Sequence, residues 1–230
     1  MQPDALMLFA AGFGTRMGAL TADRPKPLID VAGRPLIDHA LGLAGGAGIA
    51  RIVVNTHYLA EQVAAHLAGR AGVTLSHEAE RILDTGGGLR HALPLLGADT
   101  VFTLNSDAVW TGPNPLDRLA AAWDPERMDG LMLLVPAARA RGHRGAGDFT
   151  MDDAGRLTRG GTGVYTGAQI LKTGNLGPVD ASVFSLNRVW DRMLAEGRLF
   201  GLLHMGGWCD VGHPAGIAEA EAMLMEARDD

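Results

Sequence analysis

The chain has 230 residues, 47% of them hydrophobic, and a net charge of −6. It has no basic block and no long apolar run, which argues against broad nucleic-acid binding, anionic-membrane binding and a transmembrane helix. The one cysteine, Cys209, leaves no intrachain disulfide and points to a reducing compartment.

The amino terminus has no basic region before its short apolar run and does not read as a secretion signal, so the cytoplasm is the expected location. In chain order, Ala5–Ala10 reads as a buried strand and Pro35–Leu43 as a helix entered through proline. Arg51–Asn55 is a β-branched strand, Leu59–Leu67 has helical spacing, and Val73–Ser76 is a weaker strand. A glycine-rich loop, Asp84–Gly88, leads into a helix over Gly88–Leu96. Val101–Asn105 reads as a strand, Pro115–Trp123 as a helix and Leu131–Val135 as a strand. The alternation predicts an α/β fold: a Rossmann-like, mostly parallel mixed sheet with helices on both faces, and ligands at the carboxyl ends of the strands. Beyond it, Arg139–Gly147 reads as a mobile loop and Phe149–Met151 with Leu157–Thr158 as a hairpin. Val164–Leu171 and Leu199–His204 read as strands, Asn187–Leu194 as a helix and Pro214–Ala227 as a closing helix. One domain is expected over 1–230, with a first half over 1–136 and a second over 137–230.

Glycine is abundant, at 32 residues, and clusters in short loops. The loop after the first strand is the most informative. No Walker A pattern occurs. Gly12 and Gly14 start a dinucleotide fingerprint, but its third glycine is replaced by Met17, so that reading fails. What remains is a loop of small residues, Ala10, Ala11, Gly12 and Gly14, able to aim backbone N–H groups at phosphate oxygens. Arg16 adds a planar fork and Lys26 a compact charge, restricted by Pro25 and Pro27. The plainer alternative is a tight turn with surface cations.

The stretch Leu8–Phe9–Ala10–Ala11–Gly12–Phe13–Gly14–Thr15–Arg16–Met17, followed by Pro25–Lys26–Pro27–Leu28, resembles the signature of the sugar-1-phosphate nucleotidylyltransferases. The resemblance implies that this loop, including Thr15, holds a nucleoside triphosphate. It makes Arg16 and Lys26 the catalytic cations, on the departing pyrophosphate and on the α-phosphate. It also implies Mg²⁺, held by two acids. Asp107, after the strand Val101–Asn105, sits where the family has a Gly-Asp pair, with Ser106 in place of the glycine. Asp210, in Trp208–Cys209–Asp210–Val211–Gly212, matches the family's second metal ligand. Either acid has a plainer reading as a cap or turn residue. Cys209 lacks the partners of a nucleophile and reads as a buried neighbour.

Thr85 and Gly86 are the residues the resemblance assigns to the nucleobase, with Asp84 a lesser candidate. Within the family the chain is most similar to the short bacterial N-acetylmuramate-1-phosphate uridylyltransferases, through Thr85–Gly88, Ala92–Leu96, Asn105, Asp107–Trp110, Gly147–Phe149 and Asp210–Gly212. That likeness assigns Asn105, Asp148 and Gly167 to the sugar 1-phosphate. Their alternatives are a strand-end turn, a loop charge and a strand bulge. His39, His57, His66, His77 and His91 are scattered and read as solvent-facing or satisfied. The expected partners are a nucleoside triphosphate and a sugar 1-phosphate, with no nucleic acid or membrane, on a monomer or homodimer. UTP with N-acetylmuramate 1-phosphate is the expected pairing, and GTP with mannose 1-phosphate the alternative. A non-catalytic sugar-nucleotide-binding regulator is the alternative of another class.

Overall fold

The computed structural model describes residues 3–229. Its first half runs β1 (Ala5–Phe9), β2 (Asp30–Val31), β3 (Arg34–Pro35), α1 (Leu36–Gly46), β4 (Arg51–Thr56), α2 (Ala60–Leu67), β5 (Val73–His77), α3 (Asp84–Leu96), β6 (Thr100–Asn105), β7 (Ala108–Trp110), α4 (Pro115–Ala122) and β8 (Gly130–Pro136). The second half runs β9 (Ala140–Arg141), β10 (Phe149–Met151), β11 (Leu157–Arg159), β12 (Gly163–Lys172), α5 (Asn187–Ala195), β13 (Leu199–Leu203), β14 (Trp208–Asp210) and α6 (Ala215–Asp229).

The main sheet has the order β11-β10-β12-β6-β1-β4-β5, and β8 joins β12 to β13. Strands β6, β1, β4 and β5 are parallel, in register through Leu6 with both Ile52 and Phe102. β12 pairs antiparallel with β6 and β8, which makes the sheet mixed. The chain leaves β1 toward β4 and β5, then returns to the other side of β1 as β6. That reversal opens a crevice at the carboxyl edge, where open α/β sheets bind ligands.

Both faces are covered, so β1 is apolar throughout and not alternating. Leu6 and Leu8 share one core with Ala40 and Ala44 of α1, Val63 of α2 and Leu116 of α4. Ala5 and Met7 point the other way, into a core with Leu89 and Leu96 of α3 and Val189 and Met193 of α5. Burying a leucine this fully stabilises by about 1.5–3 kcal/mol. Asn114 caps α4: its side chain accepts from the Leu116 N–H at 3.0 Å and donates to the Leu43 carbonyl at 2.9 Å, fixing α4 to the end of α1.

A smaller sheet, β7-β14-β9, lies beside the first and is backed by α6. Its strands are too short to show a period and were not expected from the sequence. Met17 is buried there with Val109, Cys209 and Val211. This is why Met17 replaces the third fingerprint glycine. The opening loop turns down onto β14 through a 3₁₀ segment, Thr15–Thr21, and does not run straight into a helix.

Two expectations need correction. The glycines of Asp84–Gly88 do not precede the helix; they form the first turn of α3. The Arg139–Gly147 segment is not free. β9 pairs with β14, Arg141 bonds Glu226 at 2.6 Å, and the Gly142 N–H donates to Glu219 at 2.8 Å.

Candidate active site

A cleft of about 260 Å³ opens at the carboxyl ends of β1, β4 and β6. Ala10, Ala11, Gly12 and Lys26 line one side of it, and Asn105 and Asp107 another. Asn55 and Thr85 complete the lining, with Phe9, Pro27, Ile82, Asp84 and Ser106. A β-carbon at Gly12 would meet no atom within 4 Å, so its bare backbone faces open space. Gly14 has φ +65°, and a β-carbon there would stand 2.9 Å from Lys26 Cβ. Its glycine therefore serves both the turn and the approach of Lys26.

Lys26 starts a 3₁₀ turn held by the Leu28 N–H on the Pro25 carbonyl at 2.9 Å. Its ammonium donates to Asp107 Oδ2 at 2.6 Å. Asp107 follows β6, and its carbonyl accepts from the Val211 N–H at 2.9 Å. In the adjoining ladder Ala108 is opposite Asp210, so both acids stand at one end of paired strands. Burial first, then the Asp107 carboxylate, raise the Asp210 carboxyl above its usual range, against the pull of Lys26, Arg16 and His143. Arg16 reaches the same place: a β-carbon at Gly212 would lie 2.8 Å from Asp210 Oδ2 and 3.0 Å from Arg16 Nη2. Arg16 forms no ion pair among the described residues.

Ser106 carries no strain, because its φ is not positive. Its hydroxyl donates to the Phe9 carbonyl at 2.7 Å, joining the ends of β6 and β1. Asp84 is the strained residue of the cleft, with φ +61° on a side chain other than glycine. Such a conformation costs of order 1–3 kcal/mol and clusters at functional sites. Its Oδ1 accepts from the Thr85 N–H at 2.5 Å, and the Thr85 hydroxyl accepts from the Leu186 N–H at 3.0 Å.

The remaining candidates separate. Thr15 is exposed at the start of the 3₁₀ segment, outside the cleft lining. Gly86 is buried, its N–H on the Phe184 carbonyl at 2.9 Å; a β-carbon there would collide with the Phe184 ring. Gly167 sits in a bulge of β12 at φ +86°, and a β-carbon there would lie 2.7 Å from Asn105 Cγ. Asp148 is bound to the same strand, accepting from the Tyr165 N–H at 2.8 Å, and does not line the cleft. Burial pushes the Cys209 thiol up to about 12, in keeping with an inert neighbour.

Sequence reasoning missed Asn55 and Glu78. The Ala10 N–H donates to Asn55 Oδ1 at 2.7 Å, Asn55 Nδ2 donates to Glu78 Oε1 at 2.7 Å, and Glu78 Oε2 accepts from the Leu83 N–H at 2.7 Å. Asn55 carried a usable signal: it is the polar residue near the carboxyl end of a β-branched parallel strand.

Among the described residues, no group of three His, Cys, Asp or Glu side chains could hold a metal. A metal at Asp107 and Asp210 would thus draw its other donors from substrate oxygens and water, which is the habit of Mg²⁺. Two carboxylates brought to one end of the paired strands β7 and β14 fit a divalent cation.

Residues 6–222 match the MobA-like NTP transferase domain. The chain is 40% identical, over 98% of both chains, to an N-acetylmuramate alpha-1-phosphate uridylyltransferase of Caulobacter vibrioides. It is 34% identical to the protein of the same name from Neisseria meningitidis, over 94% of this chain and 96% of that one. A mannose-1-phosphate guanylyltransferase of Mycobacterium tuberculosis is 26% identical over 97% of this chain and 65% of its own. Among solved structures, HddC from Yersinia pseudotuberculosis superposes with a TM-score of 0.77 at 20% identity, over 97% of this chain and all of that one. A putative glucose-1-phosphate thymidylyltransferase from Bacillus anthracis gives 0.78 at 17% identity, over 98% and 96%. No helix among the described residues is long and apolar enough to cross a membrane. With its fold, its glycine loop and nearly its whole length in agreement, the chain belongs to the MobA-like NTP transferase family.

Proposed function

We propose that this chain is a sugar-1-phosphate nucleotidyltransferase that joins UTP to N-acetylmuramate 1-phosphate, releasing pyrophosphate. One observation carries the reaction class: Lys26 and Asp107 meet at 2.6 Å in a cleft walled by open glycine backbone, with Arg16 and Asp210 adjacent. The choice of base and sugar rests on the names of the Caulobacter and Neisseria relatives.

Both substrates are anions, so the site must cancel repulsion. The Ala11–Gly12 backbone and Gly14 turn would take the nucleotide phosphates, with the Ala10 N–H held by Asn55. An oxygen of the sugar phosphate attacks the α-phosphorus in line; the new P–O bond forms as the bond to pyrophosphate breaks. That oxygen is already ionised, so no general base is required. Lys26 would hold the α-phosphate oxygens and Arg16 the departing pyrophosphate, each placed before the reaction starts. Asp107 and Asp210 would hold Mg²⁺, which when bound supplies charge neutralisation between the two substrates. Thr85, which lines the cleft, is assigned to the base, and Gly86 behind it lets the turn pack against Phe184. Asn105, which lines the cleft, is assigned to the sugar side, with Gly167 packed beside it and Asp148 holding the strand that carries Gly167.

The test is pyrophosphate release with Mg²⁺, across four nucleotides and a panel of acceptors. The panel includes N-acetylmuramate 1-phosphate, mannose 1-phosphate and phosphocholine. Release confined to UTP with N-acetylmuramate 1-phosphate is expected. Release from GTP with mannose 1-phosphate would keep the class and change the substrates. Silence from folded protein would favour a non-catalytic sugar-nucleotide-binding regulator.

A further inference from the structure

We infer that Asn55 and Glu78 are positioning residues for the nucleotide, a buried pair that sets the distance between the two walls of its site. The inference rests on reading the cleft as the nucleotide site. The pair has no place in the reaction itself and no counterpart among the phosphate-binding residues.

The chain of bonds runs from one wall to the other. Ala10 N–H donates to Asn55, Asn55 to Glu78, and Leu83 N–H to the second oxygen of Glu78, each at 2.7 Å. Ala10 opens the glycine loop, and Leu83 immediately precedes Asp84 and Thr85 on the facing wall. Asn55 is 4% exposed and Glu78 3% exposed, so water does not compete for these bonds. No Lys, Arg or His side chain forms an ion pair with Glu78 among the described residues. A buried carboxylate is costly without partners, and here backbone and amide donors supply them.

The polarity is fixed at each step. Asn55 must turn its oxygen to Ala10, so its nitrogen must face Glu78, and both Glu78 oxygens must accept. The helix also yields to the pair: a β-carbon at Gly88 would lie 2.6 Å from Glu78 Oε1 and 3.1 Å from Asn55 Nδ2. That packing accounts for a glycine inside the first turn of α3, where it weakens the helix.

The fixed polarity provides the test. In Glu78→Gln, every arrangement of the two amides sets one donor against another. In Asn55→Asp, two carboxylates face each other. The double variant Asn55→Asp with Glu78→Gln rebuilds the chain: Ala10 N–H to Asp, Gln amide to Asp, Leu83 N–H to the Gln oxygen. Each single variant is expected to raise the nucleotide KM by about tenfold to a hundredfold, as lost buried hydrogen bonds do. The KM for the sugar phosphate should stay within about twofold, and the double variant should recover most of the nucleotide loss, a non-additivity that marks direct coupling. Amide exchange without substrates is the second readout: each single variant should speed exchange at Ala10–Gly12 and at Leu83–Thr85 together. Equal rises in both KM values, a double variant no better than the singles, or faster exchange confined to one wall would each overturn the inference. Wild-type protein that binds no nucleoside triphosphate would sink the nucleotide reading, and exchange would still decide whether the pair joins the walls.

Discussion

Replacing Lys26 with methionine removes the ammonium and keeps a stem of similar length between Pro25 and Pro27. The Lys26 side chain is 11% exposed and that of Asp107 is 27% exposed. Orphaning a fully buried charge costs about 3–5 kcal/mol, but water reaches Asp107, so the screened cost is about 1–2 kcal/mol. For a chain of this size that lowers Tm by about 2–8 °C. The catalytic loss should be larger: removing one preorganised charge at a reacting centre costs about 10²–10³ in kcat. Mg²⁺ separates the two effects. By replacing the positive charge beside Asp107 it should restore most of the Tm and little of the kcat. Melting curves with and without Mg²⁺, and pyrophosphate release at saturating substrates, measure both. A kcat within tenfold of wild type, alongside a Tm that Mg²⁺ fails to rescue, would refute the reasoning and leave Lys26 as a structural partner of Asp107.

Other perturbations separate fold from site. Gly12→Ala should leave stability within about 0.5 kcal/mol, since nothing crowds the added carbon, yet weaken nucleotide binding by filling the approach. Gly86→Ala should do the opposite, with overpacking against Phe184 costing about 1–3 kcal/mol in a denaturant titration. Asp210→Asn should abolish Mg²⁺-dependent turnover while Tm holds or rises, because burial and Asp107 already oppose its charge; a large drop in Tm would contradict this. Burial lowers the proton affinity of His39 and of His204, so the unfolded chain takes up protons first. Stability should therefore be full above the ordinary imidazole value of about 6.5 and fall as pH drops through it. Asp129 adds a loss at lower pH: burial alone would raise its carboxyl, but Arg198 and Lys172 overcome that and hold it below its usual value. A denaturation midpoint flat from pH 7.5 to 5 would count against the histidine part.

The parallel half of the fold was legible because its signals are local. Arg51–Thr56 is β-branched and short, α1 is entered through a proline, and each strand buried on both faces reads as an apolar run. The opening loop was legible for the same reason: open backbone, Arg16 and a proline-flanked Lys26 lie within one short stretch, and Ala10, Ala11, Gly12 and Lys26 of that stretch do line one cleft.

What neighbours along the chain cannot encode was left to tertiary structure. Asp107 and Asp210 meet because two three-residue strands pair, and strands that short have no period to read. The glycines before Leu89 look like a flexible loop, yet they are a helical turn pressed against Phe184, Ser182 and Glu78. The Arg139–Gly147 segment looks mobile by composition, yet Glu219, Glu226 and His213 hold it from the far end of the chain. The sequence by itself determined the alternation of strands and helices and the place of the glycine loop, through periodicity and backbone restriction. Only the tertiary structure decided which acids, amides and cations face one another, because those contacts join residues whose separation along the chain leaves no local trace.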